Sequence, residues 1–145
     1  MSLLAILFVF NFLYTATASD QPFAVSLRLL KPVVISEVRS LAFPDTTTGT
    51  TSQIVVSSTG DTAAKFEVVG SANSNIVSTV VEHSIVMSAP SVSDPIVVDG
   101  FTVQAPLALN ELGKASVGVG GTAHINNSNE DGDYSGSATL RVIYE

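Results

Sequence analysis

Short apolar or alternating segments, separated by turn-forming residues, recur along this chain of 145 residues after Ser19. The separators include PDTTTGTT, STGD and NNSNEDGD, whose residue types supply positive φ angles or local side-chain hydrogen bonds. The nearest approach to a helical period is LALNELGKA at 107–115, which covers little more than two turns before Gly113, so we expect at most a short turn there. The pattern predicts an all-β fold.

About seven or eight short strands with no helix between them are typical of an immunoglobulin-like β-sandwich. Pro32 cannot donate to a β-ladder, so it predicts a break between the first two strands. Neither an internal repeat nor a second domain is visible. The predicted strands are Phe23–Leu30, Val33–Leu41, Gln53–Ser58, Ala64–Val69, Ile76–Met87 (as one or two pieces), Ile96–Gln104, Ala115–Ile125 and Tyr134–Tyr144.

The composition fits a folded domain and excludes several partners and chemistries. The chain is 46% hydrophobic and only 13% charged, against ~25% charged residues in ordinary soluble domains. Six basic and thirteen acidic residues give a net charge of −7, and the basic residues are scattered, so nucleic acid and anionic membranes are poor partners. The chain has no cysteine, which excludes disulfides and thiolate chemistry.

The N-terminus has the pattern of a secretory signal. Residues 3–14, LLAILFVFNFLY, are apolar except for Asn11, and Ala16, Thr17 and Ala18 form a small-x-small cleavage pattern. The run is shorter than the ~18 residues that a membrane span requires. We therefore predict a signal peptide at 1–18, although its start lacks Lys or Arg, and a mature chain without a membrane span. A buried N-terminal strand or helix is the alternative.

The two ends of the mature chain share an alternating pattern. Behind the predicted cleavage site, four apolar side chains fall on one face of an extended segment: Phe23, Val25, Leu27 and Leu29. At the other end, Ala138, Leu140, Val142 and Tyr144 alternate with residues of the opposite face. No later strand covers the edge of this last strand, so we expect a neighbour to supply the missing one.

Together the two ends resemble chaperone–usher pilins, which are immunoglobulin-like sandwiches that lack their last strand. In those proteins an alternating N-terminal extension of the next subunit fills the gap by donor-strand complementation. Their last strand often has a penultimate tyrosine and a glycine fourteenth from the end. Tyr144 and Gly132 occupy those positions here.

More closely, nearly the whole mature chain resembles a family of secreted bacterial pilin-like domains of formally unknown function. The matching pieces, in order, are LAFPD (41–45), AKFEVVG (64–70), VVDGFTV (97–103), ASVGVGGTAHI (115–125) and GDYSGSATLRVIYE (132–145). Two features depart from the pattern: Pro44 stands where a glycine is more usual, and the disulfide common in pilins cannot form.

The resemblance implies a division into a signal peptide (1–18), an N-terminal donor-like extension (19–32) and a β-sandwich (33–145). It implies that Phe23, Val25, Leu27 and Leu29 form the donor strand. The acceptor groove and C-terminal strand would comprise Gly132, Tyr134, Ala138, Leu140, Val142 and Tyr144.

The implied function is structural: a subunit of a fimbria-like polymer involved in cell adhesion, at the periplasm and surface of a Gram-negative bacterium. Its partners would be copies of itself or related subunits, with a periplasmic chaperone as a further partner. The alternative is a monomeric secreted or cell-surface binding module whose residues 23–30 pair in cis, because the same alternation suits both arrangements.

No pattern for enzyme chemistry, a cofactor or a metal stands out. His83 and His124 lie in strand patterns without ligands at metal-site spacing, which favours ordinary structural histidines. GVGGT at 118–122 lacks the lysine and helix of a phosphate loop, so its glycines indicate a bulge or close sheet packing. Glu130, Asp131 and Asp133 lack the register of a calcium loop, so we predict a solvated hairpin turn at 126–133.

Overall fold

Eight strands in antiparallel sheets, with no helix, form the regular structure of residues 15–145, the part of the chain that this computed structural model describes. The prediction of an all-β, sandwich-like fold with seven to eight strands is confirmed. The apolar run of the predicted signal peptide, residues 3–14, lies outside the described residues. The strands are β1 (Val34–Arg39), β2 (Ser52–Val56), β3 (Ala64–Val69), β4 (Ile76–Val80), β5 (Ser84–Met87), β6 (Ile96–Gln104), β7 (Lys114–Ile125) and β8 (Leu140–Tyr144).

The long strand β7 organises the larger sheet. β3 pairs with the first half of one edge of β7, β2 pairs with the second half, and β6 also pairs with β7. The path of this sheet is β1-β3-β7-β6-β5, while β4 and β8 form a separate two-stranded sheet. β1 and β8 therefore each have a single partner strand among the described residues.

The core forms where the inward faces of the two sheets meet. Residues directly opposite each other in an antiparallel pair share a face, and Val68 lies opposite Ala115 and is fully buried. Val142 of β8 and Ile76 of β4 belong to the same buried cluster, so the smaller sheet covers this part of the larger one. A second buried cluster joins β6 to the end of β7 and consists of Ile96, Val98, Ala123 and Ile125.

The glycines of β7 allow a close backbone approach. A Cβ placed on Gly118 would lie 2.1 Å from the carbonyl oxygen of Ser58, and one on Gly120 would lie 2.1 Å from that of Val56. Any side chain there would push β2 and its following turn away from β7. The interpretation of GVGGT as a site of close sheet packing is confirmed.

One predicted strand is wrong, and a second is wrong in part. Residues 23–30 form no ladder with any described strand, because no neighbouring backbone within residues 15–145 offers the hydrogen bonds that define a strand. Residues 134–139 continue β8 without a regular ladder. The segment beside them bends between β4 and β5, so Thr139 donates its backbone N–H to the carboxylate of Glu82 and not to a strand carbonyl. Nearer to Tyr134, a single β-bridge joins Ser135 to Ser88.

The segment at 126–133 is solvated as predicted, with exposed carboxylates at Glu130, Asp131 and Asp133, but it is not a hairpin. β7 and β8 lie in different sheets, so the segment crosses from one sheet to the other. Asn129 anchors the crossing: this buried side chain accepts a hydrogen bond from the N–H of Asn126 at 2.8 Å and donates to the carbonyl of Asp94 at 3.2 Å.

Candidate functional site

An apolar groove opens between the two sheets, beside the edge of the C-terminal segment that has no partner within residues 15–145. One wall consists of the end of β1 and the residues that follow it, and the other consists of residues 136–140. The groove encloses about 220 Å³. Pockets for drug-sized ligands are larger, at ~300–1,000 Å³, so this section suits a row of side chains rather than such a ligand.

The floor of the groove is made of large apolar side chains that are only half-buried. They come from all parts of the sandwich and pack against the edge of the buried core: Leu41, Phe43, Phe66, Val80, Ile85, Met87, Phe101 and Leu140. Side chains of this size are normally covered in a finished sandwich. Within residues 15–145 the smaller sheet of β4 and β8 ends before it covers them.

The groove continues into a wider depression of about 620 Å³ between residues 41–48 and residues 129–134. The narrow and wide sections share Leu41, Phe43 and Met87, so they form one channel. β1 borders the channel and is exposed at all six positions. Even Ile35, which lies opposite the fully buried Val68 on the inward face, is 37% exposed.

Most of the residues predicted for an acceptor groove lie along this channel. Ala138 and Leu140 line the narrow section, whereas Gly132 and Tyr134 line the wide section. Tyr134 packs against the second buried cluster and donates its hydroxyl proton to the carbonyl of Glu130 at 2.9 Å. Val142 does not line the channel, because it is buried in the main core.

Tyr144 stands at the other end of β8, where the sandwich is closed. Its hydroxyl donates to the carbonyl of Lys31 at 2.6 Å and accepts the backbone N–H of Ser71 at 2.7 Å. The ring fits above Gly70, where an added Cβ would lie 2.3 Å from the hydroxyl oxygen. Tyr144 therefore fastens the C-terminal strand to the root of the N-terminal extension.

Glu82 holds the wall of the groove at Thr139, where the ladder of β8 ends. Its carboxylate accepts the backbone N–H of Thr139 at 2.7 Å and the hydroxyl of the same residue at 2.8 Å. These two hydrogen bonds, the backbone one first, lower the pKa of Glu82 below its ordinary value. The carboxylate thus takes the place of a strand carbonyl at this position.

The N-terminal extension projects from the sandwich with its apolar face uncovered. Phe23, Val25, Leu27 and Leu29 are 83–84% exposed. Four large apolar side chains in strict alternation form a contiguous patch of the kind that marks an interaction surface. None of them enters the groove of its own chain.

The root of the extension is nevertheless fixed to the domain. Arg28 donates to the carbonyl of Ala72 at 3.2 Å and to the hydroxyl of Ser74 at 3.0 Å. The backbone N–H of Lys31 donates to the hydroxyl of Ser71 at 2.6 Å. These bonds hold the extension at the closed end of the sandwich, away from the groove mouth at residues 129–134.

The other residues singled out from the sequence do not assemble into a reactive site. His124 contacts Asp99 through Nε2 at 2.6 Å and Gln53 through Nδ1 at 3.2 Å, on the outer surface of the large sheet. His83 is exposed in the bend between β4 and β5. Among residues 15–145 no group of three or more His, Cys, Asp or Glu side chains could hold a metal ion.

Both sections of the groove and the whole of β8 lie within residues 35–144, the part of the chain that matches a family model. The chain belongs to the DUF4402 family, described as a domain of unknown function. The match begins inside β1, so residues 15–34 of this DUF4402 protein lie outside it. No curated protein and no solved structure matches the chain. Within the described residues no helix is long and apolar enough to cross a membrane.

Sequence reasoning missed the floor and the far wall of the groove. Phe66 and Phe101 were assigned to strands, but nothing in the sequence indicated that they would remain half-covered. The separator PDTTTGTT predicts a turn at 44–51, yet its first residues, 44–48, form part of a wall of the wide section. The available signal was the apolar pair Leu41 and Phe43, at the end of the predicted strand Val33–Leu41 and just beyond it, where a purely solvated turn would have polar residues.

Proposed function

We propose that this protein is a structural subunit of a pilus- or fimbria-like surface polymer, assembled by donor-strand complementation. The observation that carries the proposal is the coexistence of two unsatisfied surfaces in one chain. The extension presents four large apolar side chains to solvent, and no strand of residues 15–145 covers the groove beside β8. The extension can supply a covering strand, and the groove can bury the apolar side chains of an extension. Because both surfaces belong to the same chain, copies can link in series.

The dimensions of the two surfaces agree. Phe23 to Leu29 and Tyr134 to Leu140 each span six residue steps, roughly 20 Å of extended chain. A donor in the groove would add main-chain hydrogen bonds to an unpaired edge and place alternate side chains over the half-buried floor. Burying four such side chains contributes roughly 6–12 kcal/mol in gross terms, which is large enough to offset much of the cost of association.

The structural setting of the extension favours a partner in trans. Its root is held at the closed end by Arg28 and Lys31, whereas residues 23–27 form no ladder with the described strands. Completion by a neighbour would also protect an edge that is otherwise an aggregation hazard. In this proposal the subunit is exported to the periplasm and cell surface of a Gram-negative bacterium, where a chaperone covers the groove before assembly.

The deciding experiment compares polymer formation by the full chain and two matched variants. Leu27→Asp places a carboxylate on the apolar face of the extension, whereas Ser26→Asp places the same group one residue away on the opposite face. A carboxylate cannot enter an apolar groove without a large desolvation cost or protonation. We expect SDS-resistant ladders on unheated gels for the wild type and Ser26→Asp, and only monomer for Leu27→Asp.

A peptide of sequence FAVSLRLL should then convert Leu27→Asp into a more stable, soluble monomer, because it fills the groove without offering a new one. The contrary outcome is a wild-type protein that remains monomeric at high concentration and simply unfolds when Leu27 is replaced. That result would assign residues 23–30 to pairing in cis and the protein to the class of monomeric binding modules.

A further inference from the structure

The wide section of the groove is acidic. Asp45, Glu130, Asp131 and Asp133 line it, and its lining within residues 15–145 contains no Lys or Arg. The ion pairs found in residues 15–145, Lys114 with Glu67 and His124 with Asp99, include none of the four. This acidic mouth, defined by those four carboxylates, therefore carries uncompensated negative charge beside an apolar channel.

The extension carries charges of opposite sign at its two ends. Asp20 precedes the apolar run, whereas Arg28 and Lys31 lie at its end. Neither cation forms an ion pair with a carboxylate of the described residues. Arg28 uses one guanidinium nitrogen for Ala72 and Ser74, which leaves further N–H donors of its five for other acceptors.

We propose that the acidic mouth receives Arg28 and Lys31 of the next copy of this chain and so fixes the direction in which its extension enters the groove. The inference rests on the proposed function. If the extension runs antiparallel to residues 134–144, its basic root reaches the acidic mouth and Asp20 points toward the Arg141 end of β8. If it runs parallel, both cations instead approach Arg141, and Asp20 approaches the four carboxylates.

The overall charge favours such a local attraction. Each chain has a net charge of −7, so two copies repel each other over the distance at which they first meet. Complementary patches overcome this repulsion locally and raise the rate of productive encounters. The available space also favours the antiparallel direction. In the parallel direction the root of the incoming extension would meet the closed end, which already holds the root of the acceptor's own extension against Ser71 and Ser74.

The test measures binding of a dye-labelled peptide of residues 20–31 to full-length Leu27→Asp, whose own extension is disabled as a donor. A second peptide carries Arg28→Glu and Lys31→Glu. We expect the second peptide to bind at least roughly tenfold more weakly at about 0.01 M salt, with the difference largely lost at about 1 M salt, where the Debye length falls to ~3 Å. Fluorescence anisotropy gives both affinities.

Charge reversal in the acceptor completes the cycle. Adding Asp131→Lys and Asp133→Lys to the acceptor should reverse its preference between the two peptides. Glu111→Lys adds positive charge in the loop before β7, next to the closed end, and should leave the preference unchanged. Equal binding of the two peptides at low salt would overturn the proposed role of the acidic mouth and leave the proposal of donor-strand complementation intact. Failure of both peptides to bind under all salt conditions would overturn the proposed function and this inference with it.

Discussion

The closed and open ends of the sandwich contain similar side chains in different environments. Near the closed end Val68, Ile76 and Leu109 are at most 2% exposed. At the open end Leu41, Phe66 and Leu140 remain half-buried. The residue types are equally apolar, so sequence polarity does not explain the difference.

The difference follows from how many strands cover each end. At the closed end β4 and β8 pair over five residues, and Tyr144 and Glu145 are fastened to neighbouring loops. At the open end the ladder of β8 has stopped, and β1 borders the groove as an exposed edge. No strand of residues 15–145 covers the open end, so apolar residues of the same kind stay half-buried there.

The largest effect should come from a cavity at the closed end. Leu109→Ala removes a side chain that is 2% exposed and packed in the main core, so we expect a loss of about 2–5 kcal/mol in the free energy of unfolding. Urea unfolding of the subunit measures this loss. A much smaller loss would indicate that the closed end is loosely packed and that the contrast between the two ends is weaker than described.

The two tyrosines of the C-terminal segment provide a matched comparison of the ends. Tyr144→Phe leaves the N–H of the buried Ser71 without its acceptor, which should cost about 1–3 kcal/mol. Tyr134→Phe removes a hydroxyl that bonds an exposed carbonyl, so water can replace it at little cost. Equal losses for the two variants in thermal unfolding would contradict the distinction between a closed and an open end.

A groove residue should respond to occupancy. Leu140→Ala removes a side chain that is only half-buried, so we expect a loss of roughly 1 kcal/mol in the unfilled subunit. With the peptide FAVSLRLL bound, the same side chain is covered and the loss should grow toward the value for Leu109. Unfolding experiments with and without peptide test this, and a loss that does not change with peptide would exclude Leu140 from the occupied groove.

The smallest effect on stability should come from Glu82, which holds the wall of the groove at Thr139. Because the pKa of Glu82 is lowered in the folded state, its contribution to stability is present above the ordinary value of 4.5 and is lost as the pH falls through the lower folded value. Glu82→Gln should therefore lower the melting temperature slightly at neutral pH and have less effect in acid. A difference that is constant from neutral to acidic pH would show that the hydrogen bonds from Thr139 do not depend on the charge.

The strands were predictable where a local pattern and its surroundings agree. β3 and β6 have the predicted bounds because strict alternation or β-branched residues are bounded by turns on both sides. The prediction was wrong at 134–139 because pairing there depends on a bend at residues 81–83 of a distant segment. It was wrong at 23–30 for a related reason: alternation predicts an extended segment that can pair, but a ladder also requires a partner.

The site was predictable only in outline. The apolar face of residues 23–29 and the positions of Gly132 and Tyr134 could be inferred from alternation and from resemblance. The floor could not be predicted, because Phe43, Phe66 and Phe101 come together from separate elements and their partial exposure depends on how far the strands of both sheets extend. The hydrogen bond between Tyr144 and Lys31 joins residues 113 positions apart, and no local pattern encodes it.

The fastening at Lys31 has a mechanical consequence. A pull on residues 15–27 first meets the side-chain hydrogen bonds of Arg28. It reaches the backbone of the domain at Lys31, where the N–H holds Ser71 and the carbonyl holds Tyr144. Ser71 follows β3 in the large sheet, and Tyr144 belongs to β8 in the small one. Tension is thus divided between both sheets before it reaches the β1–β3 ladder, so the load does not peel β1 away one hydrogen bond at a time.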